Sequence, residues 1–358
     1  VSAVIDPENA GKLAAVGSLP GHVGAVNAFA FAHQKPLLVT RDGTGNAIVW
    51  NIETGTLLFK VDLPQNINQA IFTADDTQLA TTGIDGQIRV FNVASGKEES
   101  ALTGDPVQIV RAVGSPDGSG IYFIGAGGAV SGWRPATGRS ATFVIPPRAN
   151  TKPLNLSVSP DGKLLAVLQE YGTITLYDAV TGARLRESKL LPEIVQNVEF
   201  SPDGNLIAVS RVQTIYTFNV ADLSQRNKLT APIQSADRGF QFSPDSRMIA
   251  VNGKDYVLIW NTDSGFEIAR LPNHPDGASG IAWSPNGKLL ATVAFGDKGG
   301  AYLWDVSTFL TFGGGSIRQG KIAKAEDEIF TAAWSPKGNQ LLLGNIYGTV
   351  FVWGIAGN

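Results

Sequence analysis

Cysteine is missing from all 358 residues. That excludes disulfide bridges, thiolate metal sites and a cysteine nucleophile, while leaving the compartment open. Histidine is nearly as scarce, with His22, His33 and His274 standing far apart. Three separated imidazoles without a thiol are a poor starting set for a structural zinc site. Charged residues make up 16% of the chain, against about a quarter in ordinary soluble proteins. The formal net charge is −3 and no basic block occurs, which argues against a nucleic-acid-binding surface. No run of eighteen apolar residues occurs, so no segment reads as a membrane-spanning helix. The nucleophile elbow GxSxG, the P-loop and HExxH are absent as well.

Glycine, by contrast, is abundant at 41 residues, and 43% of the chain is hydrophobic. The stretch from Asn155 to Leu185 shows why. Four short β-type runs are separated by Pro160-Asp161-Gly162, by Glu170-Tyr171-Gly172 and by Thr181-Gly182. Apolar and β-branched residues alternate or cluster over four to seven positions and stop at Gly, Asp or Pro, the pattern of antiparallel strands joined by tight turns.

The unit recurs. An aromatic residue ends its third run at Trp50, Phe91, Trp133, Tyr177, Phe218, Trp260, Trp304 and Trp353, at intervals of 41 to 49 residues. A second marker keeps the same phase. The SPDG turn stands at Ser115–Gly118, Ser159–Gly162 and Ser201–Gly204, with variants at Ser243–Ser246, Ser284–Gly287 and Ser335–Gly338. Thr73–Asp76 is a degenerate copy and Ala32–Lys35 a poor one. Proline presets φ and glycine supplies the left-handed position, so the reversal is written into the sequence. Eight four-stranded units of this period predict an all-β fold, a single eight-bladed β-propeller over residues 1–358.

The last unit lacks a fourth strand, because only Gly354 to Asn358 follow its third. Residues 9–16, Asn9 to Val16, resemble the fourth-strand segments elsewhere and are expected to close the ring by completing that blade. Two segments break the period. Thr142 to Pro153 holds three prolines and reads as a rigid connection between the third and fourth blades. Thr311 to Asp327, Gly-rich and then charged, reads as a long fourth strand and a surface loop.

With its SPDG turns, its strand-ending aromatics followed by Asn or Asp, its TG turns and its Gly21-His22 pair, the chain resembles the WD40 repeat family over nearly its whole length. The resemblance implies a rigid scaffold that binds proteins or peptides on a narrow face near the central channel. The array of SPDG turns looks more like bacterial eight-repeat WD40 proteins, many of them exported. The family's buried network joins a His before the first strand, an Asp six residues before the Trp and a Ser or Thr on the second strand. Here only Asp85 stands at that spacing, before Phe91, with Thr81 or Thr82 behind it. Thr44 occupies the slot for Trp50, although Asp42 lies nearby. Elsewhere the slot holds Gly127, Tyr171, Val212, Lys254, Lys298 or Tyr347. The blades are therefore expected to be held by aromatic and aliphatic layers.

No catalytic, cofactor or metal site is predicted. The aspartates of the SPDG turns recur because each blade needs the turn. His22 reads as structural, His33 as part of a lower turn and His274 as a loop residue. Comparison with eight-bladed quinone- or haem-dependent enzymes fails for want of carboxylates on the axial strands. Turn phasing places the SPDG and TG turns on one side of the disk, and the remaining loops on the other. Those loops carry Arg41, Asp85, Glu170, Tyr171, Arg211, Arg238, Lys254, Asp297 and Tyr347, a mixed-charge set with tyrosines that suits an unidentified protein or peptide partner. The alternatives are a structural subunit of a cell-envelope or surface assembly, and a small-ligand or metal-binding propeller. The chain opens at Val1 rather than methionine. Trimming is the plainer explanation, and removal of an export signal the sharper one. With few lysines and Asn/Ser/Thr/Gly-rich turns, an extracellular or periplasmic location is expected, the cytoplasm being the alternative.

Overall fold

The computed structural model describes residues 3–61, 67–83, 85–103, 109–134, 143–146, 151–189, 191, 195–211, 214–230, 239–253, 255–272, 274, 278–294, 300–309, 319–323 and 328–355. These form eight four-stranded antiparallel sheets, the blades of a propeller. In blade 4 the strands run Pro153–Val158, Leu164–Gln169, Ile174–Asp178 and Arg184–Glu187, each paired with its sequence neighbour.

The serine of each SPDG turn explains why the reversal is so regular. The Ser159 hydroxyl donates to Asp161 Oδ1 at 2.7 Å and accepts the Leu164 N–H at 2.9 Å. Ser201 and Ser243 repeat the pattern with Asp203 and Asp245. The fourth position takes a left-handed backbone, with φ of 68° at Gly162 and 73° at Gly204. Two turns put another residue there, Asp76 at 54° and Ser246 at 62°. Each makes use of its side chain. The Asp76 carboxylate accepts the backbone N–H groups of His33, Gln34 and Lys35 at 2.6–2.8 Å. Ser246 Oγ accepts the Asp203 N–H at 3.0 Å. Both are clasps between the turns of neighbouring blades.

The phasing aromatics are interior. Trp50, Phe91, Trp133, Tyr177, Phe218, Trp260 and Trp304 are buried, and Trp353 is partly covered. They join aliphatic layers between neighbouring sheets. Phe200 and Tyr216 of blade 5, for example, share a cluster with Leu168 and Leu176 of blade 4. Full burial of one such side chain contributes roughly 1.5–3 kcal/mol, so these layers supply most of the cohesion between blades.

Ring closure occurs as the sequence predicts, with shifted limits. The closing strand is Leu13–Pro20 rather than residues 9–16, and it pairs with Thr349–Ile355 from Leu13 opposite Ile355 to Pro20 opposite Thr349. The first half of the expected segment is used otherwise. Asn9 Oδ1 accepts the Asp6 N–H, and Ala10–Lys12 forms a 3₁₀ turn. Ahead of it, Ile5 is fully buried and its N–H donates to Gly338 O at 2.9 Å, while Asp6 meets Asn286 and Lys288. The leader therefore latches across the turns of blades 7 and 8 before its chain enters blade 8.

The connection expected over Thr142–Pro153 is also revised. Phe143–Ile145 is the fourth strand of blade 3, paired with Val130–Gly132, and its apolar run ends at Pro146. Pro153 opens the first strand of blade 4. Within Thr311–Asp327, Gln319–Ala323 is the fourth strand of blade 7; the other positions of that segment lie outside the described residues.

Candidate functional site

Antiparallel pairing puts the SPDG and TG turns on one side, here called lower, and the loops between second and third strands on the upper side. The upper loop of blade 1 is built on a buried network that sequence spacing hides. His22 Nδ1 lies 3.2 Å from Asp42 Oδ2, and His22 Nε2 lies 2.6 Å from Thr40 Oγ1, which also accepts the Trp50 indole N–H at 2.8 Å. All these bonds are satisfied if neutral His22 donates from Nδ1 to Asp42 and accepts the Thr40 hydroxyl at Nε2. His22 thus has its carboxylate partner. Asp42 stands at the end of the second strand, where it also accepts the Thr44 hydroxyl and the backbone N–H of Thr44 and Asn46. Burial pushes Asp42 up, but the bonds from Thr44, Asn46 and Gly24 outweigh it and hold the group at about 2. Burial lowers His22, against the pull of Asp42.

Blade 7 carries a second version. His274 is wholly buried, with Nδ1 3.2 Å from Leu271 O and Nε2 2.7 Å from Thr292 Oγ1, which accepts the Trp304 indole at 2.8 Å. It is a loop residue, as expected, but its ring belongs to the framework, and burial takes it down to about 4 despite its backbone bonds. A signal was present in the sequence: the interval from His22 to Thr40 equals that from His274 to Thr292. Blade 2, where the expected spacing does occur, shows no such network among its described residues. Asp85 pairs with Arg89 at 2.6 Å, and the Thr81 and Thr82 hydroxyls are buried without a partner. Phe91 has no indole N–H to offer them. His33 does belong to a lower turn, where Nδ1 meets Asp76 Oδ1 and Nε2 meets Pro116 O.

Of the residues expected on the partner face, Arg41, Asp85, Glu170, Tyr171, Arg211 and Tyr347 are described. All six lie at the upper ends of their blades, but they differ in availability. Arg41 is partly buried and donates to Ile67 O at 2.8 Å, with burial lowering its pKa. Asp85 is committed to Arg89. Arg211 and Glu170 are half-buried. Tyr171 and Tyr347 stand out, 56% and 64% exposed. A side-chain bond to Glu328 raises the Tyr347 phenol. Arg238, Lys254 and Asp297 lie outside the described residues.

Several upper-side residues went unremarked at the sequence level. Val23 and Val110 are 83% and 61% exposed, and Phe330 is also on the surface. Val110 and Phe330 occupy the position five before the turn, the same position as Asn27, which sequence phasing does place at the channel mouth. The segment carrying Val23 is tied to the loop carrying Tyr347 by the bond from His22 N to Gly348 O. Val110 and Tyr171 line one hollow of about 620 Å³ together with Ile124, Leu154 and the glycine-rich loop Gly125–Gly128. A second hollow of about 440 Å³ also includes Val110, and is lined by Asn27, Arg41, Gln69 and Arg111. Among the described residues, no three His, Cys, Asp or Glu side chains group as metal ligands would.

Fold and face together define a WD40-like, eight-bladed propeller. Two family models match parts of the chain, neither spanning half of it. The one described as outer membrane protein assembly factor BamB matches residues 3–143, and the one described as WD domain, G-beta repeat, matches residues 265–305. The chain is similar to WD repeat-containing protein VIP3 of Arabidopsis thaliana, 29% identical over 106 residues, covering 28% of this chain and 33% of that protein. It is also similar to Centriole proteome protein 16 of Chlamydomonas reinhardtii, 35% identical over 69 residues, 19% of this chain and 3% of that protein. The chain therefore spans a third or less of these relatives. Among solved structures, the C-terminal WD40 domain of Sif2 superposes with a TM-score of 0.75 at 15% identity, covering 96% of this chain and 99% of that one, a likeness of fold.

Proposed function

We propose that the protein is a non-enzymatic interaction scaffold, a structural component of a cell-envelope assembly that meets its partner through the upper face. The observation that carries the face is the exposure there of Tyr171 and Tyr347, a side-chain type that often anchors protein interfaces, with Val23, Val110 and Phe330 exposed on the same side. The imidazoles and the turn carboxylates are spent on the framework. All three imidazoles are hydrogen-bonded to it, and the carboxylates of Asp117, Asp161, Asp203 and Asp245 accept from their turn serines. The envelope setting, periplasmic or at the outer membrane, is supported by the match of residues 3–143 to the model described as outer membrane protein assembly factor BamB.

The test is co-purification after cross-linking in the cells that make the protein. The triple variant Tyr171→Ala, Arg211→Ala, Tyr347→Ala should fold normally and lose an envelope partner that the unaltered protein retains. Retention of that partner by the folded variant would refute use of this face. A partner set without envelope proteins would refute the setting.

A further inference from the structure

We propose that the two hollows at the upper mouth form one trough for an extended peptide segment of a partner, with an acidic residue at one end and a basic residue at the other. This rests on the upper-face reading and sharpens it. The two hollows adjoin, since Val110 lines both. Their walls differ in charge. In the first, Arg111 is exposed and makes no ion pair among the described residues, and Arg41 lies beside it. Among the described residues, the one carboxylate lining that hollow, Asp42, is already occupied by His22, Thr44 and Asn46. An acidic side chain suits this end.

The other hollow offers Glu170, which makes no ion pair among the described residues, next to the exposed ring of Tyr171. A carboxylate beside an aromatic face receives a guanidinium or ammonium group. Lys152, exposed on the same rim, opposes that cation and does not pair with Glu170. Between the ends the floor is nearly bare. The upper loop of blade 3 is Gly125-Ala126-Gly127-Gly128, where other blades carry Asp85 or Tyr171, so a backbone can come close. Thr151 also lines this part. Val110 suits a small apolar residue in the middle.

The experiment is selection of a random phage-displayed peptide library on the whole chain, then fluorescence anisotropy with the enriched peptides. We expect a consensus with one acidic and one basic residue flanking small apolar ones. Glu170→Lys and Arg111→Glu should each weaken binding about tenfold, and Lys152→Glu should tighten it. A peptide whose basic residue is made acidic should regain affinity for Glu170→Lys. Circular dichroism melting confirms that each variant folds. Failure to enrich any peptide, a consensus without that polarity, or indifference to both charge reversals would overturn the trough. If the enriched peptides ignore Glu170 and Arg111 but respond to Arg211→Glu and Tyr347→Ala, the trough fails and the upper-face reading stands. Indifference to all four sinks both.

Discussion

His274 shows how a residue can be placed correctly in a loop while its role stays hidden. Beside Pro275 and Asp276 it looks like loop, yet its ring is buried and bonded to Thr292. Its burial has a measurable consequence. The unfolded imidazole takes a proton near its ordinary value of about 6.5, whereas the folded one resists until about 4. Between those values the unfolded state binds more protons, so stability falls as pH falls, by up to about 3 kcal/mol. Urea unfolding at successive pH values should show this loss, and His274→Asn should flatten it while lowering stability at neutral pH. A protein that keeps its full stability down to pH 4 would contradict neutral burial. Asp42 acts in the same direction at lower pH. Its depressed value means that the stability it contributes is complete above the ordinary carboxylate range, and is lost as pH approaches about 2. The network around it escaped a fixed-spacing search because Asp42 caps the loop from the strand end, two residues before the slot that Thr44 fills.

The two left-handed non-glycine residues make a second test at this scale. Asp76→Gly removes backbone strain of about 1 kcal/mol but strands three N–H groups of blade 1, for a net loss of about 2–3 kcal/mol. Ser246→Gly gives up one neutral bond for the same relief and should change stability by less than about 1 kcal/mol. Denaturant titration of both variants checks the contrast. Equal effects would mean that Asp76 does not clasp the blade 1 turn.

Among the elements, strands and turns were the most legible, because an SPDG turn carries its own geometry and the Ser–Asp bond closes within four residues. The closing strand was harder to delimit. Its pairing partner lies at the other end of the chain, and the local preference of Asp6 to Lys12 for a turn pushed the strand start to Leu13. The leader's latch was not legible at all, since nothing in Val4-Ile5-Asp6 announces which side chain docks. The structure separates them: Ile5 is fully buried and Val4 is 45% exposed. Ile5→Ala should therefore cost about 2–4 kcal/mol, whereas Val4→Ala should stay within about 0.5 kcal/mol. Chemical denaturation of the two variants distinguishes a docked leader from a loose one, for which both would be silent.

For the whole molecule, the repeat dictated a closed disk, and phasing sorted its loops by side. Phasing could not say which upper residues are free. Arg41 and Asp85 looked equivalent to Tyr171 and Tyr347 in the sequence, but their charges are engaged by Ile67 O and Arg89. That Tyr171 and Tyr347 are the exposed members of that set, and that Val110 joins them, emerged only once burial was known. The lower side has its own exposed aromatic, Phe266, at 73%, and this makes the choice of face a decidable matter. A photo-reactive phenylalanine analogue placed in turn at Tyr171, Tyr347, Phe266 and Val16, then activated in living cells, reports directly what each surface touches. The account predicts adducts to one envelope partner from positions 171 and 347, with little from lower position 266 or rim position 16. Adducts concentrated at 266 or 16, with none at 171 and 347, would contradict it.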